Sequence, residues 1–155
     1  MGAFKRNVCR SNGDPPERVR EKIADLRERR AKHNLPPMKF GVAGYAIVRE
    51  TAREAQEELR RITDVQQSAA GYANYQQWLA GTQLEQRVSL EDYSVSNRGL
   101  RSGLAGTAEQ VAERVAQFEA VGVDLVLLQF SPQFEEMERF AETVIRRSSA
   151  ASALA

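Results

Sequence analysis

Cysteine and histidine are almost absent from this chain: Cys9 and His33 occur once each. A single thiol closes no intramolecular disulfide, and one thiol with one imidazole falls short of the roughly four ligands of a structural zinc site. A disulfide scaffold and a zinc module are therefore not expected, and such cysteine usage suits a reducing cytoplasm. Net charge is equally scant. It is +1, from 22 Lys and Arg against 21 Asp and Glu, which leaves no field to draw nucleic acid or an anionic membrane surface. No apolar run approaches the roughly 20 residues of a transmembrane helix, and Met1 to Arg10 lacks the apolar core of a signal peptide. Neither a membrane span nor export is expected.

What is present is the balance of a soluble globular protein, 42% hydrophobic and 28% charged over 155 residues. That length suits one domain able to bury roughly 70% of its unfolded surface. The pattern along the chain is helix and strand in turn. Asp14-Pro15-Pro16-Glu17 carries the cap, proline and acidic residue of a helix start, with Asp14 as cap, and Val19, Ile23 and Leu26 give that helix a narrow apolar stripe. Asn34-Leu35-Pro36-Pro37 ends it. Lys39 to Val48 then runs nearly continuously apolar, as a strand buried on both faces does. Thr51 with Glu54 is a capping box opening a second helix on Ala52, Ala55, Leu59 and Ile62.

From residue 64 to 101 the pattern dissolves into Gln, Ser, Gly, Asn and scattered aromatics, which predicts a lid or binding loop with some helix near Tyr75 to Leu79. Thr107 with Gln110 is a further capping box, Val111, Val115 and Phe118 share a face, and Gly122 stops the helix. Asp124 to Phe130 is another apolar strand. Ser131-Pro132 reads as cap then proline for a last helix, with Met137, Phe140, Val144 and Ile145 as its buried face. Residues 148–155 are small and expected to fray. This is the rhythm of βα units with parallel strands. Two strands, with a short third near Leu104, cannot close a parallel sheet, and an eight-stranded βα barrel typically needs about 250 residues. The chain reads as α/β and as part of a larger barrel.

Several segments resemble the luciferase-type flavin-dependent monooxygenases. Phe40-Gly41-Val42 through Ile47-Val48-Arg49-Glu50-Thr51 and the charged helix after it resemble a strand and helix of the alkanesulfonate monooxygenases, as do Gly106 to Arg114 and Gly122-Val123-Asp124. Tyr93 to Leu100 and Leu127 to Phe140 are similar to the dimethyl sulfone branch. The resemblance implies the C-terminal part of a luciferase-like (β/α)8 barrel over 13–147, with 1–12 unmatched and 64–101 as its insertion or lid. It implies reduced FMN supplied by a separate NAD(P)H:FMN reductase, O2, a small organosulfur substrate whose C–S bond is cleaved, and a homo-oligomer. The cofactor would carry the oxygen chemistry, and active sites of such barrels lie at the C-terminal ends of the strands.

On that map Tyr45 and Arg98 are the catalytic candidates, and Arg98, Arg101 and Thr107 those for binding the cofactor. Gln129 and Ser131 are the candidates for binding substrate. Each has a plain structural alternative. Tyr45 can be a core tyrosine and Arg98 a solvated loop arginine, while Thr107 and Ser131 can simply cap helices. Tyr45 and Ala43 stand where alkanesulfonate enzymes carry a histidine and an arginine, which favours a neutral sulfone over a sulfonate. Met1 to Ser11 does not continue the resemblance, as after a late start or a reading-frame break, and the isolated chain is expected to bind flavin weakly or not at all. The alternative function is a catalytically inactive helical interaction module that keeps the barrel's exposed faces as a partner surface.

Overall fold

A computed structural model describes residues 8–64, Gln77 and 99–146; of residues 8–12 only the backbone is considered. Of the helix expected near Tyr75 to Leu79 only Gln77, which is helical, is described, and the candidate Arg98 and the tail 148–155 lie outside the described residues.

The central element is strand β2 (Lys39–Tyr45), buried from Phe40 onward. It is flanked by β1 (Val8–Asn12) and β5 (Leu125–Gln129), both parallel to it, in the order β1-β2-β5. Helix α1 (Pro16–Lys32) joins β1 to β2. After β2 come β3 (Ile47–Val48) and α2 (Ala52–Thr63). A 3-10 turn (Leu100–Ser102), β4 (Ala105–Gly106) and α3 (Ala108–Ala120) lead into β5. Helix α4 (Gln133–Phe140) follows and widens into a π-helical turn, Ala141–Ile145. Val19 and Ile23 of α1, Phe40 and Val42 of β2, Val111 and Phe118 of α3, and Phe140 and Val144 fill the main core.

Strand β1 is a correction to the sequence reading, which placed no element there and set 1–12 apart. Val-Cys-Arg-Ser-Asn is too short and too polar to show a strand period, but a parallel edge is held by backbone groups, which every residue carries. The long run Lys39–Val48 also divides. Ala46 N–H donates to the Gln129 carbonyl at 3.1 Å and Ile47 N–H to the Leu104 carbonyl at 2.9 Å, so the chain leaves the main sheet. Ile47 and Val48 then pair in parallel with Ala105 and Gly106 in a separate two-stranded sheet. Strand β5, expected to be buried on both faces, alternates instead: Val126 and Leu128 pack on the core, while Leu125 and Leu127 are half exposed, because β5 is an edge.

Local signals behave as their chemistry requires where partners are close in sequence. Thr51/Glu54 and Thr107/Gln110 both close as reciprocal capping boxes, and Gly122, at φ +94°, ends α3. Asp14 does not cap. Pro15 is the N-cap residue of α1, without a side-chain cap, and the Asp14 carboxylate pairs with Lys22. Nor does Ser131 cap α4, whose N-cap is Pro132. Met137 and Ile145, expected inside, are 46% and 53% exposed, and Glu136 takes the buried position one turn before Phe140. Asp124 clasps the lower ends of two strands: its Oδ2 accepts Phe40 N–H and its own N–H donates to the Phe40 carbonyl, both at 2.8 Å.

Phe118 is fully buried at the centre of the helix layer. Phe118→Ala should lower unfolding free energy by about 3–5 kcal/mol in urea titration, whereas Leu35→Ala, at an exposed position, should change it by less than about 0.5 kcal/mol.

Candidate functional site

Parallel strands end together, so the C-terminal ends of β1, β2 and β5 form one rim. Three glycines build its centre. Gly13 follows β1 with φ +66° and donates its N–H to the Ala43 carbonyl at 2.8 Å. A Cβ on Gly13 would lie 2.4 Å from the Gly99 Cα, and one on Gly44 would meet Leu104 Cδ1 and Ser102 Oγ at 2.8 Å. Gly99, at φ +75°, rests on β2, and its carbonyl accepts Tyr45 N–H and Ser102 N–H at 3.3 Å and the Ser102 hydroxyl at 2.8 Å. A Cβ on Gly13 would collide with the Gly99 backbone, and one on Gly99 would press on the Ala43 carbonyl and the Gly44 Cα at 3.2 Å, at a positive φ that suits glycine. The junction seats the Leu100–Ser102 turn directly on the rim.

The turn presents Arg101, which is exposed, and buries Leu100 against Tyr45. Tyr45 is buried in a second cluster with Ile47, Ala55 of α2 and Leu100. In register beside Tyr45 stands Gln129, exposed on the neighbouring strand. Side chains alternate along a strand, so Lys39, Gly41, Ala43 and Tyr45 of β2 share a face with Leu125, Leu127 and Gln129 of β5, where Tyr45 belongs to the cluster that includes Ala55 of α2. On β2 and β5 the one charged residue of that face is Lys39, exposed at the N-terminal end of β2, and the rim end carries none. Ser131, exposed, follows two residues after Gln129. Tyr45, Gln129, Ser131 and Arg101 are thus set around one rim.

Thr107 stands apart. It caps α3, its Oγ accepting Gln110 N–H at 3.4 Å and its N–H donating to Gln110 Oε1 at 3.0 Å. Beside it lies a cavity of about 360 Å³ lined by Val48, Arg49, Glu50, Thr107, Ala108, Glu109, Arg139 and Thr143. Sequence reasoning gave no role to the ion pair that forms one wall. Arg49 Nη1 donates to Glu136 Oε2 at 2.7 Å and to the Val48 carbonyl at 2.8 Å, and both side chains are largely buried. Arg49 also approaches Glu58 at 3.8 Å, and Arg61 holds Glu58 at 2.6 Å. The available signal was an arginine directly after a buried strand with a glutamate on an apolar helix face. Among the described residues no cluster of His, Cys, Asp and Glu could hold a metal ion, and no helix is long and apolar enough to cross a membrane.

Two outcomes follow from these ion pairs. Glu136→Gln should lower stability by roughly 3 kcal/mol in urea titration, because it leaves a buried guanidinium without its carboxylate, and Arg49→Met with Glu136→Leu should recover most of the loss. The hydrogen bond from Arg61, aided by the charges of Arg61 and Arg49, lowers the Glu58 carboxyl below its ordinary value against the opposing effect of burial. A depressed folded pKa contributes stability that is present above the unfolded value, near 4.5, and lost as pH falls through the folded one. Thermal melts from pH 6 to pH 3 should therefore fall less steeply below about pH 4.5 in Glu58→Gln than in the parent chain.

Residues 8–125 match the family model described as luciferase-like monooxygenase. The match begins at Val8, inside the segment expected to lie outside the resemblance. The chain is 34% identical over 142 residues to an FMNH(2)-dependent dimethylsulfone monooxygenase of Pseudomonas fluorescens (strain Pf0-1), covering 87% of this chain and 39% of the relative. Among solved structures, a riboflavin lyase, RcaE, with modified FMN and substrate riboflavin superposes with a TM-score of 0.66 at 18% identity, over 94% of this chain and 39% of that one. A long-chain alkane monooxygenase, LadA, does so with a TM-score of 0.67 at 19% identity, over 94% and 37%. At such identities the structures show the fold, a part of a luciferase-like α/β barrel. The chain spans about two fifths of the length of these proteins.

Proposed function

Because the chain belongs to the luciferase-like monooxygenase family, we propose that it forms the C-terminal part of a two-component, FMN-dependent monooxygenase acting on a small neutral organosulfur compound of the dimethyl sulfone kind. The observation that carries the substrate class is the uncharged rim end of the inner face, formed by Ala43, Tyr45, Leu127 and Gln129. With the rim cation Arg101 assigned to the cofactor phosphate, a sulfonate placed against these side chains would lose water without a cation of its own, which is costly, whereas sulfone oxygens need only hydrogen-bond donors. The 34% identical dimethylsulfone monooxygenase supports the same class.

The donor set at the rim suits FMN. A flat ring with a polar edge and a phosphate asks for an apolar wall, neutral hydrogen-bonding groups and a cation. Ala43 and Leu127 offer the first, Tyr45 and Gln129 the second, and Arg101, seated by the Gly99 junction, the third. Arg98, next to that junction in sequence, is the second proposed cation. Thr107, beside a different cavity and with its hydroxyl occupied by the cap, stands outside this donor set. Bound reduced FMN, delivered by a separate reductase, would supply the electrons and the site of O2 activation. The chain's own part is orientation and exclusion of water. The packed Tyr45 ring walls the rim, while the Gln129 carboxamide and Ser131 hydroxyl hold sulfone oxygens.

A second reading, an assembly module without catalysis, is favoured by the exposed Leu125, Leu127, Phe134 and Met137. A chimaera that replaces the matching part of the dimethylsulfone monooxygenase by this chain separates the two. Oxidation of dimethyl sulfone with reduced FMN is expected, with at least about a ten-fold loss in kcat/KM for Gln129→Ala, equal to about 1.4 kcal/mol. A folded chimaera that binds FMN without turnover supports the module, and one preferring alkanesulfonates sinks the neutral-substrate reading. The isolated chain should show weak or no FMN binding by fluorescence titration; tight stoichiometric binding contradicts that expectation.

A further inference from the structure

The rim turn buries one polar side chain completely, that of Ser102, directly behind the exposed Arg101. The Ser102 hydroxyl donates to the Gly99 carbonyl at 2.8 Å, the ordinary length of a good hydroxyl bond. The two amides that donate to the same carbonyl, Tyr45 N–H and Ser102 N–H, stand at 3.3 Å, and the bond that closes the turn, from Gly103 N–H to the Leu100 carbonyl, is 3.2 Å long. Amide bonds of that length are weak, since good ones cluster at about 2.9–3.0 Å. The side-chain bond is therefore the tightest one that the Gly99 carbonyl accepts. Ser102 also lies against β2: a Cβ on Gly44 would meet Ser102 Oγ at 2.8 Å and its Cβ at 3.1 Å.

Glycine stands at each end of the turn. Gly99 at φ +75° and Gly103 at φ +72° leave the backbone few steric restraints, so side chains must fix it. Leu100 is one anchor, buried with Tyr45, and Ser102 is the other. Arg101 stands between them. A short turn that is loose at both ends carries its middle side chain with it, and an arginine left loose is ordered by its ligand only at an entropic cost. We propose that Ser102 is a positioning residue: through the Gly99 carbonyl its hydroxyl fixes the place of Arg101, and so sets the preference of the rim for a flavin that carries a phosphate over one that does not. This depends on the assignment of Arg101 to the cofactor phosphate. Ser102 itself touches neither flavin nor substrate. Tyr45 and Gln129 are carried by the paired strands β2 and β5, so a flavin without phosphate keeps its ring contacts and makes no use of Arg101. Nor does the fold require the hydroxyl. Alanine keeps the Cβ that lies against Gly44, and the Gly99 carbonyl retains two amide donors, so no buried acceptor is left unpaired.

Two measurements test this. In the full chain, Ser102→Ala should speed hydrogen exchange at least about five-fold at the Tyr45 and Ser102 amides, which share the Gly99 carbonyl, and leave the Val42 amide in the middle of β2 unchanged. In the chimaera with the dimethylsulfone monooxygenase, fluorescence titration should show FMN binding weakened about five- to ten-fold by Ser102→Ala, with riboflavin binding within about two-fold of the parent. Arg101→Ala should weaken FMN binding at least as much, and adding Ser102→Ala to it should cost nothing further, because the serine acts through the arginine. Unchanged amide exchange, equal losses for FMN and riboflavin, or a loss that adds to that of Arg101→Ala would each overturn the proposal, the last two by reducing Ser102 to a structural serine. An Arg101→Ala chimaera that binds FMN as well as its parent would overturn it at its premise, the phosphate role of Arg101, and is told apart from failure of the serine by the single substitution.

Discussion

The rim depends on the close approach of three backbones. Gly13, Gly44 and Gly99 lie where an added Cβ would collide with or press on its neighbours, and the Gly99 carbonyl gathers Tyr45 N–H, Ser102 N–H and the Ser102 hydroxyl onto one acceptor. This junction ties the end of β1, the end of β2 and the returning chain into one body. Without it Leu100 has no reason to sit on Tyr45, and Arg101 has no fixed place at the strand ends. The positive φ of Gly13 and Gly99 is cheap only for glycine, so geometry and residue type constrain each other there.

Around that junction, polar groups and apolar surface are divided by face. On β2 and β5 the rim end of the inner face is neutral, with Lys39 at its far end. The charge gathers instead behind it, in the chain of Arg61, Glu58, Arg49 and Glu136 that joins α2 to α4 across β3. Glu136 and Arg49 share the cost of burial with each other and with the Val48 carbonyl, so the network works as a strut rather than as a reactive centre. The neutral rim and the paired outer network are what the proposed neutral substrate rests on.

Much of the fold was legible because it rests on neighbours in sequence. The capping boxes at Thr51 and Thr107 involve residues three apart, and β2 is buried so completely that its composition alone marks it. What was misread rests on distant partners. Strand β1 exists through backbone pairing with β2, and the break at Ala46 comes from the competing carbonyls of Gln129 and Leu104. Glu136 is buried because Arg49, 87 residues away in sequence, waits for it. Met137 and Ile145 are exposed because α4 turns only one flank to the core.

The candidate site divides in the same way. Sequence by itself determined which side chains were available, a tyrosine, a glutamine, a serine and two arginines with no inner histidine. Tertiary structure decided that Tyr45 and Gln129 stand side by side, that Thr107 faces another cavity and that Ser131 lies beyond β5 without capping a helix. The physical reason is that strand register and the glycine junction join residues scores of positions apart, and a single sequence carries no direct record of such pairings.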